Sequence, residues 1–178
     1  MKIRISYFYQ IRNFKKNMIP MSTAIWDPQW YHAGLGHQHT FYDKRGILNG
    51  LRLLPIITQA QGEGLCPCKT KNPSSCKFLQ HYRTCLERID FEKMMRGIEG
   101  FAKQYKIDNN IQEEIIMVLI VYETPDNKCS ERQSLINYFN SHGVECKELE
   151  YPIEKWRKEI LNFEKYRTRQ DKNTISWI

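Results

Sequence analysis

The sequence predicts one α/β domain, a central and mostly parallel sheet flanked by helices, with an irregular cysteine-bearing insertion. Three observations carry this expectation. The run "IIMVLIVY" at Ile115–Tyr122 is apolar at every position, as a strand must be when helices cover both faces of its sheet. A helical pattern and then a second short strand follow it, "VECKEL" at Val144–Leu149, which together make a β-α-β unit with a parallel return. The third is length: 178 residues can enclose one core and are too few for two domains of ordinary size.

Taken in order, "KIRISYFYQI" near the amino terminus alternates and is rich in Ile, Tyr and Phe, so it reads as a first strand. "NMIPMSTAI" reads as a second, short one around Pro20. Trp26 to Gly64 reads as an irregular stretch holding Trp26, Trp30, Tyr31, His32, His37 and His39, long enough for a functional or covering loop. The cysteine loop "GLCPCKTKNPSSCKF" leads into a helix with Phe78, Tyr82, Cys85, Leu86 and Ile89 on one face. Asp90 is placed to cap the next helix, whose apolar face is Phe91, Met94, Met95, Ile98, Phe101 and Tyr105, and "DNN" at 108–110 ends it. After Ile115–Tyr122, Ser130 with Gln133 forms a potential capping box, Leu135, Ile136, Tyr138 and Phe139 supply the buried side of a helix, and Gly143 terminates it. The domain is expected over 1–152, with a basic helix and tail over 153–178.

Charge is unevenly placed. Residues 1–17 hold five basic and no acidic side chains, and residues 154–172 hold seven basic and four acidic ones. Such ends suit docking on nucleic-acid phosphates, and they equally suit a solvated surface. The longest apolar run is far below the roughly 20 residues of a membrane-spanning helix, and Lys2, Arg4 and Gln10 interrupt the first ten residues. The expectation is a cytoplasmic protein with reduced cysteines and no membrane partner. Oligomeric state leaves no mark in the sequence.

The candidate site is the turn from Glu123 to Arg132. In an open α/β sheet, ligands bind beyond the carboxyl ends of the strands. There a helix start offers unpaired N–H groups to an anion, and Arg132 adds a guanidinium. Cys129 sits where the helix start and Arg132 both favour a thiolate, the state of a nucleophile. Glu123, closing the apolar strand, is placed to act as a base or to hydrogen-bond a sugar hydroxyl. Ser130 and Glu131 line the same mouth, and Trp26, Trp30 and Tyr31 suit stacking on a base. The plainer reading has Cys129 packed, Ser130 only capping, Arg132 paired with Glu131 or Asp126 in solvent and the aromatics covering the core.

Cys66, Cys68 and Cys76 lie in one loop, and His81 or Cys85 on the following helix could complete four zinc ligands. The spacing is irregular, so packed free thiols are the competing reading, and any zinc would pin the loop structurally. His37 and His39 in "GLGHQH" suit metal or phosphate contact as well as simple exposure.

The segments "MIPMSTAIWDPQWY", "VLIVYETPDN" and "CSERQSLINYFNSHGV" together resemble the proteins of domain of unknown function 488. Those proteins have an early strand leading to an aromatic Pro-x-Trp-Tyr-like segment, a late strand ending in an acidic motif, and a Cys-His-Arg at a helix start. The resemblance implies that the family's acid, cysteine and arginine fall on Glu123, Cys129 and Arg132. This chain reads Cys-Ser-Glu-Arg there and lacks the imidazole. The leading expectation is a small anionic, phosphate-bearing ligand such as a nucleotide or nucleoside derivative. The alternatives are a nucleic-acid-binding module with a zinc-pinned loop and a protein-interaction domain.

Overall fold

The computed structural model describes residues 1–23, 31–33, 48–52, 72–126 and 128–150. The chain divides into units Met1–Glu148 and Leu149–Ile178. The expected basic helix over 153–178 lies outside the described residues, and the elements below belong to the first unit.

Strand β1, Lys2–Tyr7, is buried from Ile3 onward and not alternately, because it pairs on both sides and is covered on both faces. It is shorter than its alternating pattern suggests: Phe8–Asn13 turns into a 3-10 helix. Strand β2, Met18–Ser22, contains Pro20. The amide of Thr23 bonds the Ile120 carbonyl, so ladder alternation turns the nitrogen of Pro20 away from that neighbour. On its other side the pairing begins only at Met21, so the missing N–H costs no ladder bond.

The stretch read as irregular holds two further strands, β3 at Tyr31–Ala33 and β4 at Leu48–Arg52. Three residues and a Gly50-bearing five are too short to carry a period, and pairing with neighbours supplies the order that their sequence does not.

Helix α1, Lys77–Glu87, buries Leu79, Tyr82 and Leu86. Helix α2, Phe91–Asp108, begins as expected at Asp90, whose carboxylate accepts from the Lys93 amide at 2.9 Å, and buries Met95, Ile98, Ala102 and Tyr105. Strand β5, Ile116–Val121, is fully enclosed from Met117 onward. Helix α3 runs from Arg132 to Ser141, Gly143 follows it at φ +77°, and β6 is Cys146–Glu148. The capping box does not form. Ser130 Oγ accepts from the Arg132 amide at 3.3 Å, while the Gln133 side chain turns to Asn137.

The described strands pair in parallel in the order β3-β4-β2-β5-β1-β6. From the neighbouring strands β2 and β5 the chain leaves in opposite directions, β2 toward β3 and β4 and β5 through α3 to the far edge at β6. Such divergence opens a crevice at the strands' carboxyl ends. Among the described residues no helix is long and apolar enough to cross a membrane.

Candidate functional site

At the carboxyl end of β5 the chain emerges from a dry core, and its next polar side chains meet whatever surrounds them at low dielectric. Tyr122 points out, 62% exposed, while Glu123 turns in and is half-buried. Six residues later the chain returns through Cys129, Ser130, Glu131 and Arg132, all buried.

Arg132 holds the turn together. Its Nη1 donates to both carboxylate oxygens of Glu148, at 2.9 and 2.7 Å, and its Nη2 donates to the Glu123 carbonyl at 2.6 Å. The guanidinium therefore ties the end of β5 to the end of β6, and Glu148 takes up the charge that an anion site would need. Arg132 is 8% exposed, and its Nε is buried without a hydrogen-bond partner.

Glu131 is 4% exposed and lies against the Glu123 carboxyl. Burial, and then the charge and hydrogen bond of Glu123, push its pKa up to about 8. The buried Glu131 carboxyl therefore keeps its proton near neutral pH. The Oε2 of Glu123 is nonetheless buried and without a partner.

Helix α1 adds a group that the sequence reading treated only as core. Tyr82 is fully buried and its hydroxyl has no hydrogen-bond partner. Burial raises its pKa first, followed by the charges of Glu131, Cys85 and Glu123, so the phenol stays protonated. The available signal was chemical: a core tyrosine carries a hydroxyl that needs a partner, where phenylalanine would fill the same space. Glu148 was likewise unread, since nothing in a short strand announces an ion pair across 16 residues.

The remaining candidates scatter. Cys129 packs with Cys76 and Leu79 in a small apolar cluster, whereas Cys85 sits by Tyr82, so the cysteines flanking α1 do not share one environment. His81 is half-buried on α1 and its Nε2 has no partner. Among the described residues no three His, Cys, Asp or Glu side chains converge as a metal site. Cys66, Cys68, His37, His39, Trp26 and Trp30 lie outside the described residues. Tyr31 is a buried core residue: its ring meets Phe8 edge-on at 5.2 Å and its hydroxyl donates to the Pro20 carbonyl at 3.2 Å.

No family model matches the chain, and neither does any curated protein or solved structure.

Proposed function

We propose that the protein binds a hydroxyl-bearing small molecule of the nucleoside class at the carboxyl end of β5, with Glu123 as its anchoring acceptor. One observation carries this reading. Glu123 Oε2 and Arg132 Nε, two of the buried polar atoms without a partner, belong to residues of this one turn, which the Arg132 guanidinium joins through the Glu123 carbonyl. Leaving such an atom unpaired costs about 1–3 kcal/mol, so each calls for a partner that the fold itself does not supply, a water, an ion or a ligand. The position agrees, because it lies where the connections from β2 and β5 diverge.

The ligand's phosphate, where it has one, is not assigned to Arg132, whose charge Glu148 already balances. The acid pair beside it would repel an anion. The resemblance to domain of unknown function 488 is proposed on the same residues, Glu123, Cys129 and Arg132.

For the nucleic-acid alternative, three of the five amino-terminal cations already have partners within the protein. Lys2 pairs with Glu114 at 3.0 Å, Arg4 is buried against Glu145 at 3.5 Å, and Lys16 donates to the Asn109 carbonyl. Thermal unfolding of the full chain with a panel of ribonucleosides and nucleotides tests the proposal. A member of the panel should raise the midpoint of the natural protein and not that of Glu123→Gln. Equal shifts in both proteins, or none in either, would remove the reading.

A further inference from the structure

We propose that the groove between helices α1 and α3 binds a free α-amino acid, held at its carboxylate by Arg83 and at its ammonium by Glu87. No residue of the turn at 123–132 lines this groove, so the proposal goes beyond the nucleoside reading and does not depend on it.

Helices that pack together ordinarily fill the seam between them with side chains. Here the seam leaves a groove of about 360 Å³, within the roughly 300–1,000 Å³ of small-molecule pockets. Helix α1 lines it with Arg83, Leu86 and Glu87, and the chain of α3 lines it with Ser134, Tyr138 and then His142. Positions 134, 138 and 142 recur every four residues and so share one face.

That face carries polar groups that the protein does not serve. Tyr138 is 8% exposed, its ring meets Phe91 edge-on at 5.5 Å, and its hydroxyl is buried without a hydrogen-bond partner. His142 is fixed in orientation: its Nδ1 donates to the Tyr138 carbonyl at 2.8 Å, and its ring stacks on Phe91 at 4.1 Å. A carbonyl only accepts, so the proton of the neutral ring is placed on Nδ1 and Nε2 is left as an acceptor.

The opposite wall supplies both charges. Arg83 and Glu87 stand four apart on α1, yet among the described residues neither makes an ion pair. On α2 the same spacing does bridge, Arg96 to Glu92 at 3.5 Å, with the acid on the amino-terminal side. The order is reversed on α1, an arrangement that pairs less well along a helix, and both heads stay available to a ligand. A phosphate or a simple carboxylate would answer Arg83 and stand against Glu87. An amine would answer Glu87 and stand against Arg83. An α-amino acid carries both charges on one carbon: its carboxylate brings acceptors for Arg83 and the Tyr138 hydroxyl, and its ammonium brings donors for Glu87 and His142 Nε2.

The experiment is titration of the full chain with each common L-amino acid, followed by saturation-transfer NMR, and then with the tightest binder in two blocked forms, its carboxamide and its N-acetyl derivative. At least one free amino acid should bind, and each blocked form should bind about tenfold more weakly. Arg83→Gln should weaken the free amino acid and leave the carboxamide unaffected, and Glu87→Gln should do the same toward the N-acetyl form. Both residues are exposed, so neither variant disturbs the core. Tyr138→Phe removes a hydroxyl that bonds nothing in the protein, so it should weaken binding while unfolding no earlier than the natural chain. A purely structural tyrosine would leave binding untouched, and that result would remove Tyr138 from the contacts. Blocked forms that bind as tightly as the free amino acid overturn the zwitterion. Affinity unchanged in both Arg83→Gln and Glu87→Gln overturns the groove, and binding of no amino acid at all overturns the whole proposal. The nucleoside reading is untouched by any of these results, since its own test turns on Glu123→Gln.

Discussion

Arg132 and Glu131 are adjacent in sequence and solve burial differently. Arg132 keeps its charge by spending it on Glu148 and the Glu123 carbonyl; Glu131 gives its charge up. Removing the guanidinium leaves the half-exposed Glu148 without its partner and frees the ends of two strands. Arg132→Ala should cost about 2–4 kcal/mol in urea unfolding, and Arg132→Lys should recover little, since one ammonium cannot serve both carboxylate oxygens and the carbonyl. For Glu131 the sign follows from its raised pKa. The folded protein holds a proton that the unfolded chain releases above its ordinary value near 4.5, so stability falls as pH climbs from there through about 8. The slope should approach but not exceed about 1.4 kcal/mol per pH unit for this one proton. Glu131→Gln should flatten that dependence in unfolding curves taken between pH 5 and 8.

At the scale of the elements, three glycines make opposite demands. Gly143 follows α3 at φ +77°, in the left-handed region, with nothing within 4 Å of where a Cβ would stand. Gly143→Ala is thus a pure backbone test and should destabilise by about 1 kcal/mol. Gly97 and Gly100 lie inside α2 with equally open surroundings and ordinary helical backbone. Ala at either position should stabilise by about 0.5–1 kcal/mol, because it lowers the entropy of the unfolded chain without meeting a neighbour. Chemical denaturation of the three variants checks both signs in one experiment. Helix ends such as Asp90 and Gly143 were legible because a cap acts within four residues of itself. The start of α3 departs from the expected capping box for a tertiary reason: Glu131 turns inward to Glu123, Ser130 accepts from the nearer Arg132 amide, and the exposed Gln133 pairs along its own helix with Asn137.

For the whole molecule, β5 is the axis on which the sheet is assembled. Leu119 pairs with Ile5 on one side and Met21 on the other, with no exposed surface. Leu119→Ala should cost about 3–5 kcal/mol in equilibrium unfolding, toward the upper end for such a change, since a centre held by two ladders relaxes little around a cavity. The fold class, the β5-α3-β6 unit, the two helices before it and Glu123 at a strand end were legible in the chain, because these follow from apolar periodicity and local capping. Tertiary packing alone set Arg132 against Glu148, Glu131 against Glu123, and the buried Tyr82 within the electrostatic influence of both carboxyls. Those pairings join residues that no local pattern relates. They are fixed by where the sheet order places β5 and β6 on either side of β1, and by the low dielectric in which their charges then have to be settled.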